Sequence, residues 1–380
     1  METTGNPTPA APMLLARQNL SVLFDVLHAQ DYTIIGPQVM SRAILYDEIR
    51  KPDQLPKGWN DEQNAGHYRL TQNNGEALFG FTAGAQSWKR FLFLPQRSLW
   101  QAHRDGDGFV IEHAKEQVQR LAFFGMRACE LHAIKLLDRV FLYKGVAETD
   151  YDARRKAALF IAVNCGKAGD TCFCVSMGTG PRARVGFDLA FTELIDDHRH
   201  DFLVEIGSER GEAIATQLPL RSASSEDIAV ARAILANTAS TMGRQMETNG
   251  LKTLLQDNPE HPQWEDVASR CLACANCTFS CPTCFCHSED DTTDLDGLRA
   301  NHRQRWDSCF TMDFSHLASG AVRGDVCTRY RQWLTHKLAN WIDQFDESGC
   351  VGCGRCITWC PAGIDITEEV AKIRASNAEA

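Results

Sequence analysis

The sequence predicts an α/β domain with a mixed sheet, followed by a mainly α-helical domain that is organised by cysteines. Short apolar runs broken by turn residues fill the first two thirds of the chain, together with a few helical stretches. Regularly spaced cysteines dominate the last third. At 380 residues the chain also exceeds what one hydrophobic core usually organises, so two domains are expected.

The strongest signal is a cysteine spacing, C-x2-C-x2-C-x3-C-P, that occurs twice. The two copies are Cys271, Cys274, Cys277, Cys281 with Pro282, and Cys350, Cys353, Cys356, Cys360 with Pro361. Bacterial-type ferredoxins hold 4Fe–4S clusters with this spacing: three thiolates of one motif bind one cluster and the fourth binds the other. The pattern predicts a dicluster ferredoxin-like domain with two crossed ligand sets. These sets are Cys271, Cys274, Cys277 and Cys360 for one cluster, and Cys350, Cys353, Cys356 and Cys281 for the other.

Zinc is the alternative metal, because C-x2-C pairs also occur in zinc ribbons. A zinc ribbon needs only two close pairs of cysteines. The third cysteine, the three-residue gap and the proline would then have no explanation, so the spacing favours iron–sulfur clusters.

Composition limits the class of protein. Hydrophobic residues make up 44% of the chain and charged residues 23%, as in soluble globular proteins. The formal charge of −10 argues against a nucleic-acid partner. The first dozen residues lack the features of a signal peptide, and the longest apolar run, Ala157 to Val163, is too short to span a bilayer. The 16 cysteines therefore indicate metal binding in a reducing, cytoplasmic setting.

The α/β domain is predicted over residues 14–258, after a disordered tail at 1–13. Apolar periodicity predicts a first helix over Leu14–Ala29. Short, largely antiparallel strands are expected from Tyr32 to Ile111, including one at Lys89–Leu94.

A parallel βαβ unit is predicted next. Its parts are a strand at Leu121–Gly125, a helix at Glu130–Phe141 and a strand at Ala157–Val163. Because α/β folds bind ligands at the carboxyl ends of parallel strands, four cysteines are expected to meet at one sheet edge. This predicts a third 4Fe–4S cluster, with buried structural thiols as the alternative. The four residues are Cys129, Cys165, Cys172 and Cys174.

The Gly-rich turn at residues 176–181 follows these cysteines. It lacks the lysine of a P-loop and the helix of a dinucleotide-binding turn. It is interpreted as a segment that lets the backbone approach the cluster sulfurs, or as a simple turn.

The cluster domain is predicted over residues 259–380, opened by a helical insertion at 287–346. The insertion carries a basic run, which is either a solvated helix face or a docking surface for an acidic partner. Its cations are Arg299, Arg303, Arg305, Arg323, Arg329, Arg331 and Lys337.

Four cysteines stay unassigned: Cys284, Cys286, Cys309 and Cys327. They are interpreted as packed thiols beside the clusters, with a further metal site as the alternative. No nucleophile–base pair and no H-E-x-x-H helix is visible, so no catalytic residue is assigned.

Several motifs together resemble one family. They are Phe124-Gly125-Met126-Arg127-Ala128-Cys129-Glu130-Leu131, Thr171-Cys172-Phe173-Cys174 with Ser176-Met177-Gly178-Thr179-Gly180-Pro181, Cys281-Pro282-Thr283-Cys284-Phe285-Cys286, Arg329-Tyr330-Arg331-Gln332, and Gly349-Cys350-Val351-Gly352-Cys353-Gly354-Arg355-Cys356. The chain resembles the beta, electron-transfer subunit of soluble sulfhydrogenase-type NiFe hydrogenases, which is related to the A subunit of anaerobic sulfite reductase. One departure is Ala128-Cys129-Glu130, where the family usually has Pro-Cys-Asp.

The resemblance implies an iron–sulfur electron-transfer subunit of a multi-subunit oxidoreductase. Its implied partners are a flavin-containing, NAD(P)-linked subunit and NiFe hydrogenase subunits. A sirohaem sulfite reductase subunit is the alternative partner. A function of another class is a thiol-based sulfur or disulfide reductase acting at Cys284 and Cys286, although C-x-C is a poorer redox pair than C-x-x-C.

Overall fold

The structure, a computed structural model, describes residues 11–82, 84–113, 118–143 and 147–379. Residues 1–10 of the expected tail lie outside the described residues. Met13, the last residue assigned to that tail, already belongs to the first strand.

The elements of the first half of the chain, in order, are β1 (Met13–Ala16), α1 (Leu20–Ala29), β2 (Thr33–Met40), β3 (Ala43–Glu48), β4 (Trp59–Asn64), β5 (His67–Gln72), α2 (Lys89–Leu92), β6 (Gln96–Asp105), β7 (Gly108–His113), β8 (Leu121–Met126), α3 (Ala128–Phe141), α4 (Thr149–Ala157) and β9 (Leu159–Val163). Those of the second half are β10 (Leu189–Ile195), β11 (His200–Ile206), α5 (Glu209–Ala215), β12 (Arg221–Ser222), α6 (Ser225–Ser240), α7 (Leu251–Asp257), α8 (Gln263–Arg270), α9 (Asn276–Phe279), β13 (His287–Thr293), β14 (Arg299–Trp306), β15 (His316–Leu317), β16 (Gly320–Ala321), α10 (Val326–Thr335), α11 (Trp341–Phe345), α12 (Arg355–Thr358) and α13 (Ile366–Glu379).

Within the described residues, eight strands form one mixed sheet in the order β12-β1-β11-β10-β9-β8-β2-β3. The central neighbours β2, β8, β9 and β10 run parallel, and the outer pairs are antiparallel. Strands β8 and β9 are buried along their whole length. Such continuous apolar runs are expected where both faces of a parallel sheet are covered.

Helices α3 and α4 connect the parallel strands β8 and β9. Phe123 and Phe160 point to the sheet face that packs against Leu131 and Ile134 of α3. Residues one position along, such as Phe124 and Ile161, point to the opposite face. There they meet Leu23, Phe24 and Leu27 of α1. Successive side chains along these strands therefore contribute to two hydrophobic cores, one on each face of the sheet.

A second sheet corrects the expected helical insertion at 287–346. Its order is β13-β14-β6-β7, so two strands of the insertion pair with strands from the first third of the chain. Helix begins only at Val326. The residues of β13 and β14 are polar and lack a clear alternation, and they become strands because β6 supplies the neighbouring ladder.

Two smaller expectations are also corrected. The first helix starts at Leu20, because Met13–Ala16 instead pairs with β11 and β12. Lys89–Leu92 is a short helix where a strand was expected, and it buries Leu92 against Phe123 in the α3-side core.

The cluster region is built from α7 to α13 around an aromatic core. Trp264, Tyr330, Trp333 and Leu338 lie at its centre with Ile357 of α12. A single π-helical turn, His336–Asn340, joins α10 to α11. No helix within the described residues is long and apolar enough to cross a membrane.

Candidate iron–sulfur sites

The two cysteine motifs have matching backbone turns. In the first, Ala273 and Ala275 have φ of 49° and 65°, and in the second Gly352 and Gly354 have φ of 64° and 74°. Each turn leads into a short helix, α9 or α12, that carries the third cysteine. Left-handed residues that are not glycine cost energy and cluster at functional sites. The repeated turn is therefore a constraint that both motifs share.

Backbone amides point at the cysteine sulfurs. The N–H of Ala273 donates to Cys271 Sγ, and the N–H of Gly352 donates to Cys350 Sγ, both at 3.4 Å. The N–H of Ile364 donates to Cys360 Sγ at 3.4 Å. Such bonds stabilise thiolates over thiols, and bonds of this kind also tune cluster sulfurs.

The fourth cysteine of each motif lies near the first three of the other motif. Burial raises the pKa of Cys277, and charge interactions with Cys271, Cys360 and Cys274 raise it further. The pKa of Cys356 is raised in the same way by burial and then by Cys350, Cys353 and Cys281. Both thiols thus have a neighbour from the opposite motif, and the crossed ligand assignment stays a prediction.

Lys337 occupies the space between Cys281 and the second motif. Its Nζ donates to Cys281 Sγ at 3.4 Å and to Thr283 Oγ1 at 2.9 Å. Thr283 Oγ1 in turn donates to the carbonyl of Gly349 at 2.7 Å. Burial acts to lower the pKa of Lys337, but the thiolates of Cys281, Cys284 and Cys350 raise it well above its usual value.

The four N-terminal cysteines come together at the carboxyl ends of β8 and β9. Cys129 is the second residue of α3, just after β8, and Cys165 follows β9. Burial raises the pKa of Cys172 well above its usual value, and Cys174, Cys165 and Cys353 add to the rise. Burial also raises the pKa of Cys129 well above its usual value, and charge interactions with Cys353 and Cys174 raise it further.

The N-terminal cysteine loop packs directly on the second motif. Phe173 N donates to Gly352 O at 2.8 Å, and Thr179 Oγ1 of the Gly-rich turn donates to Val351 O at 2.6 Å. A Cβ at Gly352 would lie 2.7 Å from the Cys174 backbone, and one at Gly354 would lie 2.5 Å from Thr171 O. Glycine is required at these two positions because the two loops are in contact.

A buried ion pair joins the same two regions. Glu130 of α3 pairs with Arg355, which lies between Cys353 and Cys356, and both side chains are fully buried. Glu130 Oε2 also accepts from Trp88 Nε1 at 2.8 Å and from the N–H of Arg127 at 3.0 Å. Arg355 Nε donates to Gly84 O at 2.9 Å. The partner of Glu130, which follows Cys129 directly, was not evident from the sequence.

The unassigned cysteines fall into contacts of different kinds. Cys284 is hydrogen-bonded to Cys281, and Cys286 to Cys309. Cys286 and Cys309 meet because they flank the β13–β14 hairpin, whose base is closed by the Asp307 N to Cys286 O bond of 2.9 Å. Cys327 of α10 interacts with Glu265 of α8. Cys284 and Cys286 are thus not a mutually bonded pair.

The basic run of the insertion is not one exposed face. Arg329 is buried and donates to the carbonyls of Phe310, Gly324 and Arg323 at 2.9–3.1 Å. Lys337 is buried as well. A docking surface that includes these two residues is therefore excluded, because both side chains are buried and hydrogen-bonded within the protein.

Comparison with known proteins agrees with the site. Residues 270–364 match the family model described as a 4Fe-4S dicluster domain. The chain is also 29% identical to Sulfhydrogenase 2 subunit beta of Pyrococcus furiosus over 318 residues, which cover 81% of this chain and 89% of the relative. No solved structure matches significantly.

The fold and the matched region define an iron–sulfur protein with a 4Fe–4S dicluster domain. The resemblance seen in the sequence motifs is confirmed as well: the chain is a relative of the beta subunit of a sulfhydrogenase-type enzyme.

Proposed function

We propose that this chain is the electron-transfer subunit of a cytoplasmic NiFe hydrogenase of the sulfhydrogenase type. In this proposal a flavin-containing subunit links it to NAD(P) and other subunits carry the NiFe site. The observation that carries the proposal is the contact between three groups of cysteines. Cys172 Sγ donates to Cys353 O at 3.7 Å, and Cys356 interacts with Cys277 of the first motif. The N-terminal group therefore contacts the second motif, and the second motif lies near the first.

Each group would hold one 4Fe–4S cluster, which supplies reversible one-electron chemistry when bound. The two ferredoxin-type groups keep the crossed ligands given above, and Cys129, Cys165, Cys172 and Cys174 form the third. The described residues contain no set of three or more His, Cys, Asp or Glu side chains close enough to share one metal ion. The four ligands of a cubane bind different irons, so a cluster does not require such a set.

Five of the twelve candidate cluster ligands are buried. Cys129, Cys174, Cys281, Cys350 and Cys353 are buried. Cys274 of the first motif is exposed, and so is Leu272 nearby in the sequence. The first motif is therefore accessible to a partner, as an electron-transfer subunit requires.

Metal analysis of the full chain tests the proposal. Anaerobically purified protein should contain about twelve irons and twelve acid-labile sulfides, four of each per cubane. About eight of each would remove the third cluster only. Zinc without sulfide would contradict the proposal as a whole.

Single substitutions test the ligand sets. Cys281→Ser should damage the cluster held by the Cys350 motif, and Cys360→Ser the one held by the Cys271 motif. Cys129→Ser should lower the iron content by about four atoms without affecting either ferredoxin-type cluster. Loss of the cluster of its own motif in Cys281→Ser would contradict the crossed assignment.

Activity measurements test the partners. The isolated chain should be reduced by dithionite but should neither consume hydrogen nor reduce NAD(P). Electron transfer should appear when flavin and NiFe subunits are added. Transfer only to a sirohaem subunit would replace the hydrogenase by a sulfite reductase, and NAD(P) reduction by the flavin-free chain would contradict an electron-transfer role.

A further inference from the structure

Two buried lysines have no carboxylate partner among the described residues. Lys89 is 4% exposed and Lys337 is 5% exposed. Lys89 Nζ donates to Cys284 O at 2.9 Å and lies 4.0 Å from the centre of the Trp306 ring. By contrast, the buried Arg355 is balanced by Glu130. A buried cation without a counter-ion is costly, and burial lowers the pKa of Lys89 although the charges of Cys284 and Cys281 oppose this. An anionic cluster beside Cys281 would offset this cost.

Both lysines face the same sulfurs. Lys337 contacts Cys281 Sγ and interacts with Cys284 and Cys350, whereas Lys89 interacts with Cys284, Cys281 and Cys286. The lysines come from distant parts of the chain, α2 and the π-helical turn after α10. π-helical turns are frequently found at functional sites.

The two ferredoxin-type groups differ in this respect. Cys271 of the first motif interacts with Cys360 and Cys274, and its hydrogen-bond donor is the backbone of Ala273. Cys360, the counterpart of Cys281, accepts from the N–H of Ile364. In one crossed ligand set Cys271 and Cys360 thus receive backbone donors, while in the other set Cys281 receives a lysine.

We propose that Lys337, assisted by Lys89, is the fixed counter-charge of the cluster held by Cys281, Cys350, Cys353 and Cys356, and that it raises the reduction potential of this cluster above that of its partner. The inference rests on the proposed function. Reduction adds one negative charge to a cluster, and a nearby cation stabilises that charge. Lys337 is a positioning residue, because it acts through the sulfur of Cys281 and the loop at Gly349.

The test is a redox titration of the full chain followed by electron paramagnetic resonance. Lys337→Met keeps much of the side-chain volume and removes the charge. We expect one midpoint potential to become more negative, with about a tenfold loss of the reduced form at a fixed potential, which is about 59 mV for a one-electron couple. The other potentials should not move. Lys337→Arg should restore most of the shift, and the exposed Lys372→Met should give none.

Lys89→Met provides a second test, since it removes a charge that does not contact a cysteine sulfur. It should shift the same potential in the same direction by a smaller amount. If Lys337→Met loses its clusters, this second variant still tests the inference. Normal iron content with unchanged potentials in both variants would overturn the inference. Iron and sulfide too low for two cubanes in the unmodified chain would instead contradict the proposed function.

Discussion

Gly352 and Ala273 occupy equivalent places in the two motifs. Both have a left-handed backbone. Gly352 lies against another loop, at the backbone of Cys174. A glycine at this position of the second motif is therefore explained by the packing of that motif on the N-terminal cysteines.

Gly352→Ala should destabilise the protein by at least about 1–2 kcal/mol, because the left-handed backbone is strained for alanine and the new Cβ meets the Cys174 backbone. Thermal unfolding under anaerobic conditions measures the change, together with iron content. The matched control is Ala273→Gly, which removes strain and should change stability by less than about 1 kcal/mol. Equal stability of the two variants would contradict the contact between the loops.

At the scale of single elements, the start of α6 is fixed by hydrogen bonds between residues close in sequence. Ser224 Oγ accepts from the N–H of Asp227 at 3.1 Å, and Asp227 Oδ2 accepts from the N–H of Ser224 at 2.8 Å. This reciprocal cap begins a helix whose inner side chains pack on Leu194 and Leu203 of the large sheet.

Ser224→Ala should lower stability by about 1 kcal/mol through loss of the helix cap. Iron content should stay unchanged, since the cap does not contact the cysteine groups. Ser240→Ala, at the exposed end of the same helix, should have little effect on the apparent Tm. A loss of iron in Ser224→Ala would show that α6 supports the clusters after all.

The elements that sequence reasoning found are those whose pattern is local. The all-apolar strands at Leu121–Met126 and Leu159–Val163 and the two cysteine turns are of this kind. The strands β13 and β14 were missed because their stabilising neighbour, β6, lies far away in sequence. The same is true of the site: the cysteine spacing was readable, whereas the burial of Lys337 and Arg329 depends on tertiary packing.

At the scale of the whole molecule, the Glu130–Arg355 pair joins the two regions that the sequence separates. It connects α3 with the loop of the second motif in a site without water access. The second sheet likewise combines β6 and β7 with β13 and β14. The expected boundary near residue 258 stays a prediction, but the regions on either side share buried contacts.

Glu130→Gln should destabilise the protein by about 3–5 kcal/mol, because it leaves the Arg355 cation buried without a carboxylate. The apparent Tm under anaerobic conditions measures this effect. Combining it with Arg355→Met should cost less than the sum of the single changes, since neither charge then remains unpaired. A change of less than about 0.5 kcal/mol for Glu130→Gln would contradict a buried pair.

The pairing of β6 with β14 also fixes an order of events during synthesis. Between the end of β6 at Asp105 and the start of β14 at Arg299, about 190 residues must be translated. At roughly 5–20 residues per second this takes roughly 10–40 s. During that time the nascent chain has an unpaired strand edge on β6, which is a template for aggregation. The N-terminal cysteines also leave the ribosome well before the loop that covers them.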